Sequence, residues 1–448
     1  METDIVNNVH LIWGMNPQLV AIIIMTVCYL IIFTEKINRA VIALLGGALM
    51  IISGILTQKL ALEGIDFNTL ALLIGMMIIV AVAEKSGMFQ FVAIWAAKKV
   101  KANPRGLLAV IAVVTAVFSG FLDNVTTVLL ITPVVFQITK KLKVSPYPYL
   151  VLEIFASNIG GTATLIGDPP NILIGSALDL SFMDFVMVLT PVVLVTMLVL
   201  IGIFDLCFGR KLKANDEDRA MVMAMNEKEA IVNRSLLYKS LFTLFWVILG
   251  FIFAKQIFLD NGTIALTGAA FILLLYTFGT EGNEREDKIQ EIFNMVDWTT
   301  IFFFTGLFVI VYGLEETGVL SVLGHAFIDF TGGSIEKLMF LILWSSAIVS
   351  SVIDNIPFVA TMIPMLKSME ASVGGREAMM PVWWALSLGA CFGGNGTLIG
   401  ASANVVVAGL ASREGQGINF MKFLLWSVPV MLMSVVIATL FLYFEFIF

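Results

Sequence analysis

The chain has 448 residues, of which 59% are hydrophobic and only 13% are charged. A soluble domain is typically about 45–50% apolar and about 25% charged, so this composition disfavours a soluble enzyme, a DNA-binding domain and a disordered chain. The formal net charge is −7, which disfavours a nucleic-acid partner because neutralising phosphates requires a surplus of cations. The composition indicates a membrane protein.

Apolar segments of membrane-spanning length follow one another along the chain, and about 20 residues of helix are enough to cross a bilayer. Residues 210–235 interrupt them with Lys, Asp and Glu, and this stretch is predicted to be a cytoplasmic linker between two membrane domains, 1–209 and 236–448. The predicted segments are 19–33, 39–57, 67–83, 106–121, 124–139, 149–178 and 183–209, then 236–254, 263–279, 298–314, 339–353, 355–366, 381–411 and 420–447.

The two halves repeat each other in polar residues and glycines. Matching positions are Asp66 with Asp297, Asp123-Asn124 with Asp354-Asn355, Thr164-Leu165-Ile166-Gly167 with Thr397-Leu398-Ile399-Gly400, and Asn171 with Asn404. The matches keep their order and their offset drifts slowly, from 231 to 233 residues. Because they fall on polar residues rather than on common apolar ones, they indicate an internal duplication.

Charge predicts how the first half crosses the membrane. Segments 106–121 and 124–139 each make roughly 24 Å of helix, short of a hydrocarbon core of about 30 Å. Cations flank both outer ends of the pair, at Lys98, Lys99, Lys101 and Arg105 before it and at Lys140, Lys141 and Lys143 after it. Both ends are therefore expected in the cytoplasm, with 106–140 forming a re-entrant hairpin whose tip lies near mid-membrane.

The predicted fold is an all-α polytopic membrane protein built from two inverted repeats. Each repeat has five transmembrane helices plus one re-entrant hairpin, and the odd number of crossings inverts the second repeat, with its hairpin at 338–367. Segments 149–178 and 381–411 are predicted to be broken helices at mid-membrane, because Gly, Pro and Asn interrupt them. Both termini are expected outside.

Polar residues at the hairpin tips and the helix breaks are the candidate transport site, because polar groups inside a membrane are costly and are usually functional. The predicted ion-coupling residues, which could bind Na⁺ or a proton, are Asp123, Asn124, Asp354 and Asn355. The predicted substrate-binding residues are Thr126, Thr127, Asn158, Gly161, Thr162, Thr164, Asp168, Asn171, Asn395, Thr397, Ser402 and Asn404. No catalytic residue and no organic cofactor are expected.

Helix capping alone is the alternative explanation for the three carboxylates Asp123, Asp354 and Asp168, since Asp is a favoured N-cap. Asp168 is the more informative of them, because its repeat counterpart is Ala401 and the scaffold does not require a carboxylate there. Glu84 is expected to be structural. Glu153 begins a broken segment and is a candidate proton-path residue.

Four motifs are similar to those of the melanosomal P protein family and its prokaryotic relatives in the ion transporter superfamily, which also includes ArsB, NhaD and the dicarboxylate/sodium symporters. They are Phe121-Leu122-Asp123-Asn124-Val125-Thr126-Thr127, Gly167-Asp168-Pro169-Pro170-Asn171, Asp354-Asn355-Ile356-Pro357 and Gly393-Gly394-Asn395-Gly396-Thr397-Leu398-Ile399-Gly400-Ala401-Ser402-Ala403-Asn404. The resemblance implies a scaffold and a transport domain in each half, with tip and break together forming the site. The symporters carry Ser-Asn-Thr at both tips, where this chain has Asp123 and Asp354 in place of Ser.

The expected mid-membrane set holds carboxylates, Thr, Ser and Asn, with no Lys or Arg. Such a set suits proton or sodium coupling to a small neutral or cationic solute. The sequence therefore predicts a secondary active transporter of alternating-access, elevator type, performing arsenite or antimonite efflux or Na⁺/H⁺ antiport. The alternative is a chloride or carboxylate transporter, or a channel of the same fold. The expected partners are the lipid bilayer, a small inorganic ion or solute and, as one option, a second copy of the chain. The expected location is the plasma membrane of a prokaryote.

Overall fold

The computed structural model describes residues 14–34 and 36–448, and this part of the chain contains helices and loops but no strand. The α-helices are α1 (Pro17–Phe33), α2 (Arg39–Ile52), α3 (Gln58–Glu63), α4 (Phe67–Glu84), α5 (Met88–Lys99), α6 (Pro104–Phe121), α7 (Asn124–Leu142), α8 (Tyr147–Gly161), α9 (Pro169–Ala177), α10 (Phe182–Phe204), α11 (Asp216–Met223), α12 (Arg234–Ile252), α13 (Ala254–Ile257), α14 (Asn261–Thr277), α15 (Asn283–Met295), α16 (Trp298–Glu316), α17 (Val319–Thr331), α18 (Ile335–Ser350), α19 (Asn355–Met369), α20 (Arg376–Gly393), α21 (Ser402–Arg413) and α22 (Phe420–Phe446).

Seven of these helices are long and apolar enough to cross a membrane, namely α4, α6, α7, α10 with its π-helical end, α12, α16 and α22. The pair α17 and α18 passes the same test together, with a bend of 118° between the two helices. The predicted all-helical, polytopic membrane class is therefore confirmed.

The hairpin helices are longer than their apolar segments predict. α6 has 18 residues because it starts at Pro104, and α7 has 19 because it continues through Lys140 and Lys141 to Leu142. Each is long enough to span, so the expectation that both are too short is wrong. Helix length does not distinguish two spans from one re-entrant hairpin, and the hairpin stays a prediction.

The segments that the sequence analysis left as connections contain helices α3, α5, α13, α15 and α17. α5 and α17 each follow the C-terminal end of a long apolar helix, and each starts after a glycine in the left-handed region, Gly87 at φ 81° and Gly318 at φ 75°. They were missed because they have only 12 and 13 residues, below spanning length. The predicted linker is also folded, into α11 and a 3₁₀ turn at Glu227–Ala230.

Matching helices of the two halves make matching contacts. α6 packs against α8 as α18 packs against α20, while α2 packs against α16 and α4 against α14. The Ser119 hydroxyl donates to the Ser157 carbonyl at 2.6 Å, and Ser350 donates to the Ala390 carbonyl at the same distance. These two hydrogen bonds show which positions of α8 and α20 are equivalent.

The broken segments form the centre of the packing. α8 is followed by a non-helical stretch before α9, and α20 by another before α21. At Gly160 an added Cβ would lie 2.4 Å from the Ala116 backbone, and at Gly393 it would lie 2.6 Å from the Ala347 carbonyl. Only glycine permits such close helix packing, which holds each break against the helix of the preceding tip.

Candidate functional site

Asp168 lies at the centre of the polar residues. It is 1% exposed and immediately precedes α9, with an extended backbone that the following Pro169 favours. Its Oδ1 accepts hydrogen bonds from Nδ2 of Asn124 at 3.3 Å and from Nδ2 of Asn355 at 3.2 Å. Because Asn124 begins α7 and Asn355 begins α19, one carboxylate joins the tips of both halves.

Asp168 does not act as a helix cap in this arrangement. Its side chain makes no capping hydrogen bond to α9. Its second oxygen, Oδ2, is buried and has no hydrogen-bond partner among the described protein atoms. A buried carboxylate oxygen left without a partner is costly, so its presence favours a functional role over capping.

Asparagine side chains extend the site across the two halves. Asn158 accepts from Asn124 Nδ2 at 3.3 Å, and its own Nδ2 donates to the side-chain oxygens of Asn395 at 3.0 Å and Asn404 at 2.9 Å. All four are nearly or fully buried. The predicted residues Asn124, Asn158, Asn395 and Asn404 therefore form one continuous network beside Asp168.

Asn171 and Asn404 stabilise the two breaks by closing their loops. Asn171 Nδ2 donates to the carbonyls of Thr162 and Thr164 at 3.0 and 2.8 Å, which closes the first break. Asn404 Nδ2 closes the second break in the same way, with two 2.8 Å bonds to backbone carbonyls. Ser387, which the sequence analysis did not single out, donates to Asn171 Oδ1 at 2.6 Å.

The remaining predicted threonines and the glycine mostly support the loops. Thr162 and Thr164 donate to the backbone carbonyls of Asn158 and Gly120, and Thr397 donates to that of Ser351. Gly161 lies against the Gly167 carbonyl, where an added Cβ would be 2.6 Å away. Thr127 differs, because its buried hydroxyl has no partner within the described structure.

The two tip carboxylates have different partners. Asp123 accepts from the backbone N–H of Thr126 at 2.8 Å and from its hydroxyl at 2.5 Å. Asp354 accepts from the backbone N–H of Ile356 at 3.3 Å. Both residues thus cap the helices that follow them, as the capping alternative requires. Asp354 also binds a cation, which Asp123 does not do in the described residues.

That cation is Arg39, and the expectation that the site holds no Lys or Arg is wrong. Arg39 Nη1 lies 2.8 Å from Asp354 Oδ2 and 2.9 Å from the Ser402 hydroxyl. Its Nη2 donates to the Thr300 hydroxyl at 3.0 Å, and the guanidinium lies over the Phe303 ring. Arg39 is the first residue of α2, and its long side chain carries the charge away from its own helix end.

A cavity of about 300 Å³ adjoins the site. Its wall includes Asp123, Asp168, Asp297 and Glu84, with Arg39 as the cation. Glu84, expected to be structural, thus also faces the cavity. A second cavity of about 340 Å³ shares Arg39 and Ser402 with the first and reaches Tyr29 and Asp354. The first cavity is rich in carboxylates, which disfavours multivalent anions.

No group of three or more His, Cys, Asp or Glu side chains capable of holding a metal ion occurs in the described ranges. Both tip asparagines donate side-chain N–H groups to Asp168. Sodium binding by Asp123, Asn124, Asp354 and Asn355 stays a prediction.

Comparison with known proteins identifies the class as membrane transporters. Residues 29–389 match the sequence model of CitMHS, described as citrate transporter, and the chain belongs to this family. It is 40% identical over 430 residues to an uncharacterized transporter of Mycobacterium tuberculosis, covering 95% of this chain and 98% of the relative. It is also 33% identical over 503 residues to the P protein of Mus musculus, covering 94% of this chain and 59% of that longer protein. The predicted kinship with P protein is confirmed, and the chain is a transporter rather than an enzyme.

Two solved structures have the same fold. The YdaH transporter of Alcanivorax borkumensis gives a TM-score of 0.61 at 14% identity, over 96% of this chain and 99% of that one. MtrF of Neisseria gonorrhoeae gives a TM-score of 0.56 at 14% identity, over 89% of this chain and 85% of that one. At this identity the likeness concerns the fold alone.

Proposed function

We propose that this protein is a secondary active transporter that couples a proton or sodium ion to a small solute by alternating access. The observation that carries the proposal is Asp168, a buried carboxylate whose Oδ1 accepts from the amides of both tips and whose Oδ2 has no partner among the described residues. A carboxylate in such surroundings is stabilised by a proton or by a bound cation. Because the amides belong to two different tips, loading Asp168 would change how both tips are held.

We propose that this coupling occurs in a protein of the predicted inverted topology, whose transport domains move across the membrane in an elevator-type movement. Domains 1–209 and 236–448 would form the two repeats, with hairpins 106–140 and 338–367 opening to opposite sides and 210–235 in the cytoplasm. Ion pairs of the linker with the basic ends of α5 and α7, Lys98 with Glu227 and Lys143 with Asp218, support this side for the linker. The mycobacterial relative supports a prokaryotic plasma membrane. Both termini are proposed outside, and residues 1–13 lie beyond the described part.

The cargo proposed first is a small neutral or cationic inorganic species. Four carboxylates line the 300 Å³ cavity against one guanidinium, and that guanidinium is already paired with Asp354. Arsenous acid or its antimony analogue, moved by efflux, and sodium itself, moved by antiport, fit this charge balance. In the antiport case Asp123, Asn124, Asp354 and Asn355 are the proposed sodium residues.

An anionic cargo is the second candidate, and Arg39 is the observation that favours it. Its guanidinium and the Ser402 hydroxyl both bind one carboxylate oxygen of Asp354, beside the starts of α19 and α21. Guanidinium groups and helix N-termini are common anion binders. A carboxylate or chloride could take the place of Asp354, in keeping with the citrate named for the family.

Solid-supported membrane electrophysiology on proteoliposomes separates these candidates. Arsenite, sodium chloride and citrate would each be applied across a range of pH, with and without a sodium gradient. We expect a saturable current that depends on a proton or sodium gradient and is lost in Asp168→Asn. A solute current that depends on neither gradient would instead indicate a channel of the same fold and would contradict the proposal.

A further inference from the structure

We infer that Glu153 is a second proton-binding carboxyl, placed between the Asp168 network and a cavity at the basic end of α7. The inference rests on the proposed function and selects the proton as a coupling ion. It concerns a separate site, because Glu153 lies on α8 before the break and forms no hydrogen bond with the described tip residues.

Glu153 is fully buried, with 0% exposure. The Thr132 hydroxyl donates to its Oε1 at 2.8 Å, and its Oε2 has no hydrogen-bond partner among the described atoms. Within the described residues, its one hydrogen-bond partner is therefore a neutral hydroxyl. A carboxyl group in this position is stabilised by a proton, and its free oxygen is where the proton would bind.

No charged side chain from the described parts of the neighbouring helices compensates Glu153. The ionisable groups of those helices are paired elsewhere, exposed at helix ends or bonded to other partners: Arg105 on α6, Lys140 and Lys141 on α7, Tyr147 and Tyr149 on α8, Asp184 on α10, Arg376, Glu377 and Cys391 on α20, and Arg413 on α21.

A cavity adjoins α7 next to Thr132. Pro133 follows Thr132 inside α7, and proline removes a helix hydrogen bond and frees a backbone carbonyl one turn earlier. Pro133 also lines a cavity of about 600 Å³, together with Lys140, Lys143 and Arg413. The Thr132–Glu153 pair therefore lies one residue from the wall of a cavity at the basic end of α7.

Polar groups continue on the other side towards Asp168. Ser157 lies one helical turn after Glu153 on α8, and its hydroxyl is 3.4 Å from the Asn124 carbonyl. The unpartnered hydroxyl of Thr127 lies between Asn124 and Thr132 along α7. Asn124 then donates to Asp168. The Glu153 carboxylate would take up a proton at Oε2 from water on one side and release it to Asp168 on the other through the polar groups between them, so the carboxylate is regenerated in each cycle.

The second half shows that the fold does not need this pair. The equivalent positions of Thr132 and Glu153 are Ile363, 231 residues later, and Leu386, 233 residues later. The matching bonds of Ser157 and Ala390 fix the second equivalence. Ile363 and Leu386 are buried, at 8% and 0% exposure, so the same packing site accepts an apolar pair. A buried carboxyl that packing does not require is best explained by a function.

Two substitutions test the inference on the full chain in proteoliposomes. Glu153→Gln keeps the Thr132 hydrogen bond and removes the proton site, while Glu153→Leu introduces the residue found at the equivalent position. Infrared spectroscopy across pH, without any cargo, should show a buried protonated-carboxyl band in the wild type that both variants lose. Currents evoked by a pH jump should fall by about 100-fold, the lower range for a positioned proton-transfer group.

The control is Glu217→Gln, which removes an exposed carboxylate of α11 and should leave both signals unchanged. Solute counterflow with arsenite or citrate as the probe, at equal pH on both sides, should persist in both Glu153 variants. Wild-type pH-jump currents in either folded variant would overturn the inference and leave the proposed function standing. Wild-type transport that is driven by sodium alone, with no pH-jump current, would also overturn it. Transport that depends on neither ion would instead overturn the proposed function.

Discussion

Arg39 donates a 2.8 Å hydrogen bond to the carboxylate of Asp354, across 315 positions of the chain. The pair joins the start of α2 to the tip before α19, and both side chains are only about a fifth to a quarter exposed. The equivalent tip carboxylate, Asp123, is satisfied by Thr126 instead. The two tips therefore differ in their charged partners, although both contain an Asp-Asn pair.

The Arg39–Asp354 pair should show strong energetic coupling. Arg39→Gln leaves Asp354 without its cation, so we expect lower thermal stability in detergent, and Asp354→Asn in the same chain should recover part of the loss. For residues in one hydrogen-bond network the coupling energy is about 0.5–3 kcal/mol. A double-mutant cycle from thermal unfolding measures it, and simple additivity of the two losses would contradict the pairing.

Asp168→Asn should abolish coupled transport without destabilising the protein. The side chain makes no capping bond, so the loss of about 1 kcal/mol expected for a removed cap does not apply. Asparagine still offers an oxygen to Asn124 and Asn355, and it removes a buried charge. Thermal unfolding and proteoliposome transport should be measured side by side. A less stable variant that transports normally would show that Asp168 is structural.

Asn171 and Asn404 should matter for stability at both breaks. Asn171→Leu leaves two buried backbone carbonyls without their donor, and Asn404→Leu leaves one buried and one half-buried carbonyl. Each unsatisfied buried group costs about 1–3 kcal/mol. Both variants should therefore unfold at clearly lower temperature than the wild type. Asn294→Leu, at an exposed position of α15, is the matched control. Equal unfolding temperatures for the three variants would show that the side chains do not hold the breaks.

The linker should detach from α5 on acidification. The Lys98 ammonium, 2.5 Å from Glu227, holds the pKa of that carboxyl below its usual value. A lowered folded-state pKa stabilises docking above the ordinary pKa of Glu, about 4.3, and this contribution is lost as pH falls through the lower folded value. Hydrogen exchange of residues 216–230, corrected for its intrinsic pH dependence, should show this loss. Glu227→Gln should remove the pH dependence, and a linker that responds to pH equally in both proteins would contradict the role of the pair.

Cysteine labelling tests the inverted topology. Lys101, Lys141 and Lys367 are exposed. Single cysteines at Lys101 and Lys141, in a chain whose native Cys207 is replaced, should react with an impermeant reagent from one side of the membrane. A cysteine at Lys367 should react from the other side. Labelling of the first two from opposite sides would rule out the re-entrant hairpin at 106–140.

The sequence by itself determined the class of protein and the positions of its tips and breaks. A surplus of apolar residues requires a membrane, and Asp, Asn and Gly inside apolar segments mark where helices end, because these signals are local. The repeated Asp-Asn pair located both tips, and the contrast of Asp168 with Ala401 singled out the carboxylate that the structure places between them.

Only the tertiary structure decided which of these residues meet and which others join them. Arg39 is far from Asp354 in the chain, and nothing local to either residue indicates the partner; helix packing and the reach of a long side chain bring them together. The ends of α6 and α7 and the short helices α5 and α17 likewise depend on packing, because their composition alone is ambiguous. Tertiary packing also gives the asparagines different roles. Asn158 and Asn395 belong to the central network, whereas Asn171 closes a loop. Identical side chains receive different partners from the helices around them.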